Sequence, residues 1–100
     1  MGLTTLFTPE TMLVAARDQV SCDLAGEAAI LHLSSGMYYS LERVGARVWS
    51  LAQSPTSFRH VRDTLLAEYD VTAERLDRDL TELLNALLAE RLIEVQLTRD

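Results

Sequence analysis

Cys22, His32 and His60 are the side chains of this 100-residue chain best suited to hold a metal or start a nucleophilic attack, and they fall in different predicted elements. A zinc or iron centre needs several clustered His, Cys or carboxylate ligands. A nucleophile needs a base beside it. The sequence contains neither grouping. His32 lies in a β-prone run and reads as a packed or half-exposed strand residue. His60, on the polar side of a predicted helix, reads as a surface residue. The four glycines, at 2, 26, 36 and 45, are too far apart for a phosphate-cradling loop. Side-chain chemistry thus argues against an enzyme and against a resident metal or cofactor. What remains is the chemistry of the backbone. Gly36-Met37-Tyr38-Tyr39-Ser40-Leu41 leads almost directly into Val44-Gly45-Ala46-Arg47-Val48-Trp49, a short aromatic strand joined to an amphipathic helix. At the rim of a small sheet such a strand offers unpaired N–H and C=O groups to an extended peptide.

The elements that must position this strand follow from the hydrophobic period. Residues 1–18 have no clean period and are expected as an N-terminal arm, with 12–16 apolar enough for an extended arm or a short strand. From Val20 the residues alternate, Ala25-Gly26 supplies a turn, and 28–33 is apolar apart from His32, a pattern that predicts a hairpin. Ser34-Ser35-Gly36 is a second turn. Met37, Tyr39 and Leu41 then share one face of a third strand, with Tyr38 and Ser40 on the other. At Val44 the period switches to about 3.6 residues. Val44, Val48, Leu51 and Ala52 line a first helix with Trp49 on its flank, ended by Ser54-Pro55. Thr56 or Ser57 can cap a second helix with Phe58, Val61, Leu65 and Leu66 on its apolar face, closed by Tyr69. Thr72 caps a third and longest helix carrying Leu76, Leu80, Leu83, Leu84 and Leu87, with Glu74 in its first turn. Ile93, Val95 and Leu97 alternate with polar residues as a closing strand. A three-stranded antiparallel sheet followed by three helices places the fold in the α+β class, with one domain over residues 19–97.

Composition narrows the partners. The net charge is −6, and all nine basic residues are arginines. The close arginine groupings, Arg59 with Arg62 and Arg75 with Arg78, have acidic neighbours at Asp63, Glu74, Asp77 and Asp79. Solvated helix faces are therefore favoured over a nucleic-acid surface. No apolar run can span a bilayer, and the N-terminus lacks the basic segment and apolar stretch of a secretory signal. A single cysteine cannot form an internal disulfide. A cytoplasmic location is expected.

The run Gly36 to Leu41, the segment Val44 to Trp49, the helix begun at Thr56 and the helix from Leu76 to Leu92 together resemble the PqqD family. Its members are small recognition elements for ribosomally made, post-translationally modified peptides. The resemblance covers roughly residues 20–95 and is closest to the stand-alone leader-binding proteins of lasso-peptide pathways. The family typically follows its third strand with Leu-Asn, where this chain has Leu41-Glu42. It often has glycine before a closing apolar pair, where this chain has Arg91 before Leu92-Ile93. The resemblance implies a winged-helix-like domain without catalytic residues. Such a domain takes a precursor's leader as an added strand in the groove beside the third helix, and presents the core segment to partner enzymes. Those partners would be a cysteine-protease leader peptidase and a macrolactam-forming cyclase. Carried onto this sequence, Met37, Tyr38, Tyr39, Ser40 and Leu41 form the strand side of the groove, Leu76, Leu80 and Leu83 its floor, and Arg75, Asp79 and Glu82 one wall. The plainer reading of Leu80 and Leu84 is core packing, and of Arg75, Asp79 and Glu82 a surface ladder.

Two other functions fit the same elements. A winged helix can bind DNA through its third helix, which here presents Glu74, Asp77, Asp79 and Glu82 beside only Arg75 and Arg78. Alternatively, the edge strand can pair with a second copy of itself in a structural subunit.

Overall fold

Alternation over Gln19–Leu24 and Glu27–His32 produces a two-residue hairpin in the computed structural model, which describes residues 7–96. With Met12–Ala15 as β1, these are strands β2 and β3. Leu24 pairs with Glu27, and the two residues between them, Ala25 and Gly26, both have positive φ, 53° and 88°. Positive φ at both central positions is the type I′ arrangement, whose twist matches that of the strands it joins. Gly36, at φ 72°, serves the second turn and donates its N–H to the His32 carbonyl at 2.9 Å. The chain returns as β4, Tyr38–Glu42, antiparallel to β3 with Tyr38 opposite Leu31 and Glu42 opposite Glu27. The expected third strand is thus present, starting one residue later and reaching Glu42. The strand order is β2-β3-β4, which leaves β4 at the edge.

Three helices follow: α1 (Val44–Leu51), α2 (Phe58–Glu68) and α3 (Ala73–Ala89). α1 stops at Leu51, ahead of Ser54-Pro55. The Ser57 side chain caps α2, accepting from the His60 N–H at 3.1 Å, and Thr72 caps α3, accepting from the Arg75 N–H at 3.3 Å. Glu42 ends β4 instead of capping α1, whose N-cap is Arg43 at φ 55° with no side-chain cap bond.

The expected closing strand is present as β6, Ile93–Gln96, in a second three-stranded antiparallel sheet of order β5-β1-β6, where β5, Thr56–Ser57, and the pairing itself are not announced by the pattern of apolar residues. The segment expected as an arm or a short strand is therefore strand β1. Leu13 pairs with Val95 on one side and Thr56 on the other, and its side chain is buried. The chain ahead of β1 also completes the start of α2. The Thr11 and Pro9 carbonyls accept from Phe58 and Arg59, two N–H groups that no helical carbonyl can reach, and Phe7 stacks on Phe58 with ring centroids 5.8 Å apart. Residues 1–6 of the arm, and Leu97, lie outside the described residues.

The two sheets and three helices share one core. Ala28 and Ile30 from β3, Val48, Trp49 and Ala52 from the α1 segment, Phe58, Val61 and Leu65 from α2, and Leu76, Leu80, Leu84 and Leu87 from α3 meet there with Leu13, Leu92 and Ile93. Trp49 satisfies its indole N–H on the Ser21 hydroxyl at 3.2 Å, which fastens α1 to β2. α3 ends in paired backbone bonds. The Arg91 N–H reaches the Leu88 carbonyl and the Leu92 N–H the Leu87 carbonyl, with Arg91 in the left-handed region at φ 60°. This is the Schellman closure, which glycine usually occupies at the position where Arg91 stands.

Candidate peptide-binding site

The register of β3 and β4 decides which backbone groups are available. The His32 N–H donates to the Met37 carbonyl at 2.9 Å, so positions 32 and 37 face each other as a hydrogen-bonded pair. Antiparallel ladders alternate hydrogen-bonded and non-bonded pairs. Tyr39 and Leu41 therefore bond inward to β3, while Tyr38, Ser40 and Glu42 turn their N–H and C=O groups outward along the open edge. Among the described residues no strand pairs with that edge.

Side-chain alternation divides the same strand between two faces. Tyr39 and Leu41 are half-buried and pack on the core, whereas Tyr38, Ser40 and Glu42 are exposed. Met37, just ahead of the strand and 53% exposed, borders the same hollow as Tyr39, between the β3–β4 turn and the end of α3. This is the facial division expected from the sequence. Buried His32 lies at the back of the hollow, with its Nδ1 3.3 Å from the Ser35 hydroxyl. His60 is exposed on α2.

The end of α3, at Ala89 and Glu90, borders the other side of this hollow. The Tyr39 hydroxyl donates to a Glu90 carboxylate oxygen at 2.5 Å, which identifies the flank of α3 that faces β4. At 100° per residue Glu90 shares that flank with Leu83, Asp79, Ala86, Arg75 and Glu82. Asp77 sits on the other flank, where it meets Arg62 of α2 at 3.8 Å. Arg75, Asp79, Glu82 and Leu83, read from the sequence as lining a peptide groove, lie on this flank of α3. Leu76 and Leu80, read with them, are buried in the core, and Leu83 is half-buried. Exposed Arg75 and Asp79 form an i, i+4 pair at 3.6 Å. By helix rise Arg75 stands about 22 Å from Glu90, whereas five strand residues span only about 17 Å, so Arg75 reaches no more than the end of a strand laid along β4. Glu90 borders the hollow and Ala86 shares its flank of α3, although sequence reasoning passed over both. Their signal was the seven-residue continuation of Asp79 and Leu83 along one stripe.

The Glu90 carboxylate holds the Tyr39 phenol above its ordinary value of 10.0, first through the hydrogen bond, then through loss of hydration, then through charge repulsion. Tyr39 is therefore a neutral donor at physiological pH, tying β4 to the end of α3. Among the described residues no group of three or more His, Cys, Asp or Glu could hold a metal ion. No helix there is long and apolar enough to cross a membrane.

Comparisons with known proteins agree with this fold. The structure of TbiB1 in complex with the TbiA(beta) leader peptide superposes with a TM-score of 0.77 at 32% identity, covering 87% of this chain and 99% of that one. A lasso peptide synthetase B1 complexed with the leader peptide superposes at 0.73 over 82% of this chain and 96% of that one, and at 20% identity it speaks for the fold alone. No curated protein matches the chain. The sequence profile of coenzyme PQQ synthesis protein D matches residues 27–93, from the first residue of β3 to the first of β6. With two thirds of its length in that profile and the same fold in both solved structures, the chain belongs to the PqqD family.

Proposed function

We propose that this protein binds the leader segment of a ribosomally synthesised precursor peptide as an added strand on β4 and holds it for modifying enzymes, without catalysing a step itself. The observation that carries the reading is the outward set of backbone groups at Tyr38, Ser40 and Glu42, beside the hollow that Met37 and Tyr39 share with the end of α3. Backbone pairing gives the leader its register, and alternate side chains enter that hollow. The complex of TbiB1 with a leader peptide supports the choice of ligand. A leader held here raises the effective concentration of its attached core at a partner's active site. The partners in this proposal are a cysteine-protease leader peptidase and a macrolactam-forming cyclase, with the exposed faces of α1 and α2 left to meet them, and the setting is cytoplasmic.

The test is fluorescence anisotropy with a labelled leader from the precursor encoded beside this chain, and a proline scan of β4. Saturable binding is expected, with a dissociation constant from roughly micromolar to tens of nanomolar. Ser40→Pro removes an outward N–H and abolishes binding while circular dichroism stays native; Leu41→Pro removes an inward one and disrupts the sheet itself. Wild-type-like affinity in a folded Ser40→Pro variant would rule out strand addition.

A further inference from the structure

The outer face of the β2-β3-β4 sheet, away from the core, carries three cross-strand rows of different chemistry. Val20, Leu31 and Tyr38 form an apolar row, and they are 59%, 40% and 65% exposed. Cys22, Ala29 and Ser40 form a row of small side chains. Leu24, Glu27 and Glu42 form the third, in which two carboxylates stand directly opposite each other. Like charges facing across a ladder repel. Among the described residues neither carboxylate meets a cation at ion-pair distance: Arg43 and Arg47 border the same hollow, but Arg47 is taken by Glu68 and Arg43 makes no ion pair. Each row ends at β4, at one of the three residues whose backbone faces outward.

A strand added to β4 extends all three rows, because paired residues put their side chains on the same face. From this continuity we infer that the outer face selects the leader's register. The leader residue beside Tyr38 is apolar or aromatic, the one beside Ser40 is unrestricted in charge, and the one beside Glu42 is Arg or Lys. The inference rests on the strand-addition reading and deepens it. The occupant is an extended peptide with an apolar and a basic residue four apart on one face, roughly 13 Å along the strand. In it the cation relieves the Glu27 and Glu42 repulsion while the apolar side chain covers Tyr38 and Leu31. A one-residue slip turns both side chains to the opposite face. A two-residue slip moves the apolar residue onto the small row and the cation off the acidic one.

The experiment uses the same labelled leader with Glu42→Arg, Glu42→Gln and Tyr38→Thr, each checked for native circular dichroism. Glu42→Arg is expected to weaken binding about fivefold and Glu42→Gln about twofold. Charge reversal at a single basic leader position restores binding to Glu42→Arg and to no other variant. Tyr38→Thr is expected to weaken binding about threefold, and its effect disappears when the leader residue four positions from that basic one is changed to Ser. If the wild type binds and Ser40→Pro abolishes binding, yet all three variants bind within twofold of wild type, the register inference is overturned and strand addition stands. If the wild type binds no leader, both fall together.

Discussion

Arg43 is where this chain departs most from what its backbone would prefer. At φ 55° and ψ −123° it occupies a region glycine enters freely and arginine does not, and it gives α1 no side-chain cap. Positions of this kind cost of order 1–3 kcal/mol. Arg43→Gly is therefore expected to raise unfolding stability by roughly 1 kcal/mol, read as a higher urea midpoint with an unchanged slope; a lower midpoint would show that the arginine side chain makes a compensating contact. Arg91, in the left-handed closure of α3, makes a parallel case, and Arg91→Gly is expected to stabilise by about 0.5–1 kcal/mol. These two residues also mark what was legible residue by residue. The Ser57 and Thr72 caps could be read because a hydroxyl before an apolar period has a local meaning, and the structure shows both bonds. The hydrogen bond from Tyr39 to Glu90 joins residues 51 positions apart and has no local signal.

Among the elements, the β2-β3-β4 sheet and all three helices were legible because each has a strong period of its own. Of the β5-β1-β6 sheet, β6 was legible in the alternation of Ile93 and Val95, and β1 as one of two readings of an apolar stretch, but β5 and the pairing of the three were not. The strands are four, two and four residues long, and they pair across most of the chain. Tertiary packing, above all the burial of Leu13, selects them. Leu13→Ala is expected to cost about 2–5 kcal/mol, a large part of the stability of a domain this size, and chemical denaturation measures it. A loss below that range would show that β1 adds little to the core. α1 and α2 are tied by a fork in which Arg47 donates from Nε at 2.9 Å and from Nη2 at 2.8 Å to the Glu68 carboxylate. The fork holds Glu68 below its ordinary value of 4.5, chiefly by the hydrogen bonds, against an opposing loss of hydration, with the charge of Arg47 adding a lesser lowering. Because the folded value is the lower one, the contribution is complete above the ordinary value and is lost as pH falls through the folded one. The difference in melting temperature between wild type and Glu68→Gln should therefore be full at pH 7 and shrink as pH falls below the ordinary value of 4.5; a difference that stays constant through acidification would exclude the linkage.

At the scale of the molecule, the net charge of −6 and the acidic residues along α3 set it against polyphosphates, so no shift of duplex DNA is expected even at low salt, where such binding is strongest. The free β4 edge leaves two possible occupants, a leader strand or a second copy of the chain. Light scattering is expected to show a monomer across micromolar concentrations, since the exposed carboxylate of Glu42 at one end of the edge disfavours pairing with a like strand. A dimer that the leader dissociates would assign the edge to self-pairing. The most direct test of strand addition is amide hydrogen exchange by NMR, residue by residue along β4, with and without the leader. Without it, Tyr39 and Leu41 should exchange slowly, and Tyr38, Ser40 and Glu42 fast. With it, those three should become protected together, in alternation along the strand. Leader binding that left the amides of Tyr38, Ser40 and Glu42 exchanging as before would contradict recognition at this edge.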